Sequence, residues 1–241
     1  MNTLQLIESF SSIQGEGPYI GYRQLFLRLA GCNAACIFCD TSESRGIPAT
    51  CMLEQTPGQR DFTVLPNPVP VDALAHRVNH LSKAGHHSVS ITGGEPLCQS
   101  EALLQLLPLL QGRIYLETNG TLPEELAKVL PYIDIVSMDI KLPSTSGREY
   151  WQEHHRFLTL ASQKEVFVKI VVSSLTGEGE FLEAIHLISS VDVMLPLILQ
   201  PVTHAALAIE TERIVKWQER ALDYLPNVRV IPQTHKYLGV L

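Results

Sequence analysis

Short apolar runs alternate with longer segments of helical period along most of the chain. Leu25–Leu29, Ser88–Thr92, Ile114–Glu117, Ile133–Met138, Val166–Val172, Leu195–Leu199 and Val228–Ile231 are rich in β-formers. Most are continuous apolar runs, which predicts strands buried on both faces. Between them, Val71–Lys83 sets Val71, Leu74, Ala75, Val78 and Leu81 at helical spacing. Glu101–Leu110 follows Ser100 as an N-cap, Pro123 opens a helix over Glu124–Leu130, and Glu180–Ile188 and Ile209–Leu222 complete the series. Alternating strands and helices predict an α/β fold with a parallel sheet, in one domain over residues 1–241. Ser42–Pro70 breaks the pattern. It holds Pro48, Pro57, Gly58, Pro66, Pro68 and Pro70 with no sustained period, and reads as a long loop or insertion in which Cys51 is a bystander thiol.

The unusual residues fall at one end of these strands. Cys32, Cys36 and Cys39 follow the first strand, Gly93-Gly94-Glu95-Pro96 the second, and Thr118-Asn119-Gly120 the third. Asp139 and Lys141 follow the fourth, Gln200-Pro201 the sixth, and Gln233-Thr234-His235 the last. Sites in parallel α/β folds form at the carboxyl ends of strands, so the pattern predicts one large site assembled from many loops.

Composition narrows the chemistry. The 25 acids and 18 bases give a net charge of −7, which argues against a protein that tracks nucleic-acid phosphates. Five cysteines, three of them within eight residues, make a poor disulfide framework and a good metal pattern. Free thiols fit a reducing cytoplasm. Val166–Val172 and Val193–Leu199 are too short or interrupted by Lys169 and Pro196 to be membrane spans, which need ~20 apolar residues. Met1–Phe10 has no basic region and carries Glu8, unlike a signal peptide. The expectation is a cytoplasmic protein bound to neither membrane nor nucleic acid. The pairs His86-His87 and His154-His155 read as surface or packing residues.

Cys32-x3-Cys36-x2-Cys39 is the most specific signal. Thiolates this close select zinc or an iron–sulfur cluster. A zinc site needs a fourth ligand, which a distant histidine would have to supply, so a zinc-stabilised binding protein stands as the alternative. With Phe38 before the last cysteine, and with Gly93-Gly94-Glu95-Pro96 after the next strand, the chain resembles the radical S-adenosylmethionine enzymes. That resemblance implies a [4Fe–4S] cluster on Cys32, Cys36 and Cys39, whose open iron chelates S-adenosylmethionine. It also implies radical chemistry started by one electron from an external flavodoxin-like or ferredoxin-like donor.

Three further patterns are Ser12-Ile13-Gln14-Gly15-Glu16-Gly17, Phe26-Leu27-Arg28-Leu29-Ala30-Gly31-Cys32 continuing to Cys39-Asp40-Thr41, and the closing Gln233-Thr234-His235-Lys236-Tyr237-Leu238. Together they look like the 7-carboxy-7-deazaguanine synthase family. Another radical enzyme, such as a glycyl-radical activase, would share the cysteines but not the first and last patterns. The resemblance runs from Glu8 onward, Ser42–Pro70 excepted. It implies a shortened, partial (β/α) barrel, a homodimer, Mg²⁺ and a carboxylated tetrahydropterin substrate. Ile13, Gln14, Gly15, Glu16, Arg28, Thr92 and His235 would then bind substrate, with the terminal residue Leu241 a further candidate. Thr41 would reach Mg²⁺. Phe38, Cys39, Asp40, Gly94, Glu95, Ser137, Asp139, Lys141, Gln200, Pro201, Val202 and Thr203 would surround S-adenosylmethionine. From residue chemistry alone, Arg28 is a charge inside an apolar strand, costly unless a carboxylate pairs with it.

Overall fold

The computed structural model describes residues 2–240, so the expectation for Leu241 lies outside the described residues. Ten strands form one sheet: β1 (Leu6–Ile13), β2 (Arg23–Leu29), β3 (Thr50–Glu54), β4 (Phe62–Pro66), β5 (Ser88–Gly93), β6 (Ile114–Thr118), β7 (Ile135–Asp139), β8 (Glu165–Val172), β9 (Leu197–Pro201) and β10 (Val228–Val230). Their spatial order is β10-β9-β8-β7-β6-β5-β2-β1-β3-β4. Neighbours from β2 through β10 are parallel, whereas β1 runs antiparallel to β2 and β4 antiparallel to β3. The helices α1 (Val71–Ser82), α2 (Ser100–Leu106), α3 (Pro123–Val129), α4 (Trp151–Ala161), α5 (Glu178–Val191) and α6 (Thr211–Leu222) follow successive strands, and a short α7 (Thr234–Leu238) ends the series.

Strand alternation sorts the side chains into two faces. Val166, Val168, Ile170 and Val172 of β8 join the large core with Leu74, Leu103, Leu126, Phe157, Phe181 and Trp217 of the six long helices. The alternate position Phe167 belongs instead to a small second cluster with Tyr115, Ile135 and Ile198, capped by Tyr19. The helices therefore cover one face, and the other curves around a small apolar plug. Among the described residues β10 and β4 do not pair with each other. The sheet is thus an open, partial barrel, in agreement with the expected architecture.

All seven expected strands are present, with bounds shifted by a residue or two. Five of these elements depart from expectation: β1, β3, β4, α4 and the short α7. β1 was not foreseen, because Glu8, Ser9, Ser11 and Ser12 dilute its apolar signal. Ser42–Pro70 is not a loop throughout: it contains the β3–β4 hairpin, which extends the sheet beyond β1. Its outer strand has Val64 62% exposed and ends on Pro66. An edge strand without a buried face tolerates proline and shows no period. α4 was also missed; it buries His154, Phe157, Leu158 and Ala161, and among the described residues no helix is long and apolar enough to cross a membrane.

Candidate active site

The loop after β2 carries the three thiols and is held from four sides. Gly31 N–H donates to the Ser44 carbonyl (2.7 Å), and Glu95 N–H donates to the Gly31 carbonyl (2.9 Å). Asn119 Nδ2 donates to Asn33 Oδ1 (2.8 Å), Ile37 N–H to the Thr145 carbonyl (3.0 Å), and the Arg45 guanidinium to the Cys36 carbonyl. The two glycines after β5 are demanded by this packing. A Cβ on Gly93, at φ +135°, would lie 2.1 Å from the Leu29 carbonyl oxygen, and one on Gly94 would lie 2.2 Å from that of Gly31. Glu95 locks the arrangement from below. Fully buried, it accepts from Thr118 Oγ1 (2.9 Å) and from the N–H groups of Asn119 (2.7 Å) and Leu97 (3.1 Å). Burial still pushes its carboxyl up to about 7.

The inward positions of the strands turn polar toward their carboxyl ends. Phe26 and Arg28 of β2, Thr92 of β5, Glu117 of β6, Ser137 and Asp139 of β7, Lys169 and Val171 of β8 and Gln200 of β9 line one cleft with Cys32, Cys36 and Cys39. Parallel register sets Arg28 beside Thr92, Glu117 beside Ser137, and Lys169 beside Asp139. Lys169 sits between acids. Its Nζ is hydrogen-bonded to Glu16 Oε2 and lies 3.4 Å from Asp139 Oδ1. Burial works against that ammonium, but Asp139, Glu16 and Glu117 more than offset it and raise its pKa. Lys141 Nζ pairs with Asp139 Oδ2 at 2.7 Å and lies over the Phe38 ring, 5.5 Å from its centre.

Residues 14–16 cross the interior above the plug. Gln14 Nε2 donates to Glu117 Oε1 (2.8 Å), and Thr92 Oγ1 donates to Glu117 Oε2 (2.8 Å). Glu16 Oε1 accepts from Gln233 Nε2 (2.8 Å) and Gln200 Nε2 (3.2 Å). Burial alone would raise the Glu16 carboxyl; Lys169 and Gln233 outweigh it and hold the group below the usual carboxylate range. Gln233 also donates to Asp40 Oδ2 (2.7 Å). The Asp40 carboxyl is likewise lowered, because Gln233 and Lys236 outweigh the partial desolvation of this exposed group. The metal-ligating atoms of Glu16, Asp40 and His235 lie within 4.8 Å of one another. Among the described residues the three thiols do not draw that close. Sulfurs on one tetrahedral zinc stand about 3.8 Å apart, as Zn–S bonds of about 2.3 Å require. Three free thiols lining one cleft offer the donor set that iron–sulfur clusters take.

A family model described as the radical SAM superfamily matches residues 27–188. Among curated relatives, the 7-carboxy-7-deazaguanine synthase of Geobacter sulfurreducens is 46% identical over 98% of both chains. That of Archaeoglobus fulgidus is 38% identical, again over 98% of each. The chain belongs to the 7-carboxy-7-deazaguanine synthase family. It is a radical S-adenosylmethionine enzyme, and the superfamily's cofactors are S-adenosylmethionine and a [4Fe–4S] cluster. Among solved structures, QueE from Escherichia coli superposes with a TM-score of 0.63 at 21% identity, covering 97% of this chain and 95% of that one. SuiB of Streptococcus suis, bound to S-adenosylmethionine, gives 0.55 at 16% identity, covering 83% and 45%. Both likenesses concern the fold.

Most residues expected at the family's site come together. Ile13, Gln14, Gly15, Glu16, Arg28, Phe38, Cys39, Asp40, Thr41, Thr92, Gly94, Ser137, Asp139, Lys141, Gln200, Val202 and His235 all line the cleft. Glu95 does not; it lies beneath, with its oxygens occupied by the loop it braces. Pro201 and Thr203 are also outside the lining, and Thr203 Oγ1 instead donates to Gln233 Oε1 (2.7 Å). Arg28 has an acid partner of its own: Nε pairs with Glu8 Oε1 at 2.9 Å, and the guanidinium stacks over Phe10. Glu117 and Lys169 were not foreseen as site residues, and Gln233 only as part of the closing motif after the last strand. The first two are charges inside apolar strands, the same signal that singled out Arg28.

Proposed function

We propose that the chain converts 6-carboxy-5,6,7,8-tetrahydropterin to 7-carboxy-7-deazaguanine with loss of ammonia, in queuosine and 7-deazapurine biosynthesis. The observation that carries this reading is a half-buried carboxylate, Glu16, kept ionised by Lys169 in the same cleft as three free thiols. An ionised carboxylate beside amides presents the acceptor and donor groups that match the edge of a pterin ring. Cys32, Cys36 and Cys39 would hold the cluster, and Gly94, Lys141, Phe38 and Asp40, which line the same cleft, would receive S-adenosylmethionine. When bound, the reduced cluster with S-adenosylmethionine supplies the one-electron chemistry that starts turnover.

This chain's own residues orient and sequester. Arg28 keeps its outer nitrogens available while Nε is tied to Glu8, and pairs with the substrate carboxylate. Glu117, fixed by Gln14 and Thr92, accepts from the ring or takes a proton at its face. Thr41 offers a hydroxyl to Mg²⁺, a hard cation that completes its shell with waters and substrate oxygens. The electron comes from a flavodoxin-like or ferredoxin-like donor, and the working form is a cytoplasmic homodimer.

The test is an anaerobic incubation of iron-loaded protein with the carboxylated tetrahydropterin, S-adenosylmethionine, Mg²⁺ and a reductant. Formation of the deazapurine with one ammonia per product is expected. Cleavage of S-adenosylmethionine without deazapurine would refute the substrate, and stoichiometric zinc without iron would refute the cluster. Arg28→Ala is expected to keep full iron content and raise KM for the pterin about tenfold, as losing one charged pair does.

A further inference from the structure

The β3–β4 hairpin is the part of the chain for which sequence motifs offer no role. Its connecting segment is tightly built. Asp61 Oδ1 accepts from the N–H groups of Gln55 (3.1 Å) and Thr56 (2.8 Å). Arg60 has φ +56°, the one positive φ at a non-glycine among the described residues. A left-handed backbone is unfavourable for a side-chain-bearing residue, so something must hold it there. Its N–H donates to Glu54 Oε1 (2.9 Å). Glu54 is fully buried, and its other oxygen accepts from Ser11 N–H (2.8 Å). An interior carboxylate thus fixes the backbone of an exposed arginine, and the Arg60 Nη2 donates to the Gly239 carbonyl at 2.8 Å.

That contact spans the molecule. The hairpin forms one edge of the sheet, and the segment ending at Gly239 follows β10 at the other. Between these edges α7 buries none of its residues, and Tyr237 and Leu238 are exposed. Packing does not hold it; polar ties do. At its start, Thr234 N–H and Oγ1 both donate to the Gly15 carbonyl (2.8 Å each). Gly15 has no room for a Cβ, which would meet His235 at 2.4 Å. Lys236 Nζ donates to Thr203 Oγ1 (2.6 Å). Arg60 supplies the tie at the far end.

We propose that Arg60 is a positioning residue: it fastens α7 across the open side of the partial barrel and so keeps Gln233 and His235 over the cleft. The hairpin is then a clasp for the active site. The activity consequence rests on the pterin reading above, whereas the mechanical one does not.

The experiment compares the full-length, iron-loaded protein with Arg60→Ala, Arg60→Lys and Arg60→Gly. Two quantities are read: the initial rate of tryptic cleavage after Lys236, followed by mass of the released peptide, and the steady-state constants for the pterin. Arg60→Ala is expected to speed that cleavage about fivefold and raise KM by a similar factor, as loss of one hydrogen bond predicts, with kcat within about twofold. Arg60→Lys should recover part of both. Arg60→Gly relieves the backbone without restoring the tie, so it should cleave as fast as Arg60→Ala while unfolding no earlier than the parent. Faster cleavage in a protein whose parent shows no pterin turnover supports the clasp and removes the substrate reading. Unchanged cleavage in both Arg60→Ala and Arg60→Gly overturns the clasp, whatever KM does.

Discussion

Along β6, Tyr115 and Glu117 face the same way, two residues apart. The same step separates Phe167 from Lys169 on β8 and Ile198 from Gln200 on β9. The amino-terminal member of each pair is packed into the plug, and the carboxyl-terminal member lines the cleft. Both layers are desolvated, yet they solve the problem differently. Aromatic edges and faces meet in the lower layer, with Tyr115 and Phe167 ring centres 6.2 Å apart and Tyr19 edge-on to Tyr115 at 5.7 Å. Charges meet in the upper one, each carboxylate answered by an ammonium or an amide. Packing tolerates a change of shape better than an ion network tolerates losing a charge. A change in the lower layer is therefore expected to touch stability alone, and a change in the upper one both stability and recognition.

Three changes sharpen or break that comparison. Lys169→Met should have the largest effect. It leaves Glu16 and Asp139 without their shared cation, and a broken buried pair costs about 3–5 kcal/mol. Pterin turnover should fall by ~10²-fold or more, Lys169→Arg should recover part of it, and thermal unfolding with an iron assay separates this from global collapse. Phe167→Leu should cost about 1.5 kcal/mol, seen as a lower midpoint in urea, with pterin KM unchanged. A raised KM there would erase the distinction between layers. The smallest effect concerns pH. Glu95 has its carboxyl raised to about 7 in the folded chain, against an ordinary value of 4.5. Its contribution is therefore complete below about 4.5 and lost as pH rises through 7. Glu16, held below its ordinary value, acts with the opposite sign: its contribution is present above 4.5 and lost as pH falls through its folded value. Between pH 5 and 8 the parent should lose melting temperature relative to Glu95→Gln, so that the difference between the two proteins shrinks as pH rises through about 7.

The same two layers show what was legible in advance. Val166–Val172 declares a buried strand because both faces are apolar, and that symmetry hides which alternate residues face the cleft. In the sequence Lys169 only interrupts an apolar run, although a charge in a buried strand needs partners. The thiols and glycine loops were legible, since few other arrangements need those residue types at those spacings. Glu95 belongs to the same motif, yet its position beneath the loop depends on donors from Thr118 and Asn119, far away in sequence. The β3–β4 hairpin was illegible for another reason: with one edge strand open to solvent and proline-rich flanks, it carries no amphipathic period.

The most direct test is a crystal structure of the iron-loaded protein grown anaerobically with S-adenosylmethionine and the carboxylated pterin. The account predicts the pterin ring on the layer of Glu117, Lys169 and Gln200, above Tyr115 and Phe167, with its carboxylate at Arg28. A pterin bound away from Glu16 and Lys169, or one whose carboxylate leaves Arg28 with Glu8 alone, would contradict it.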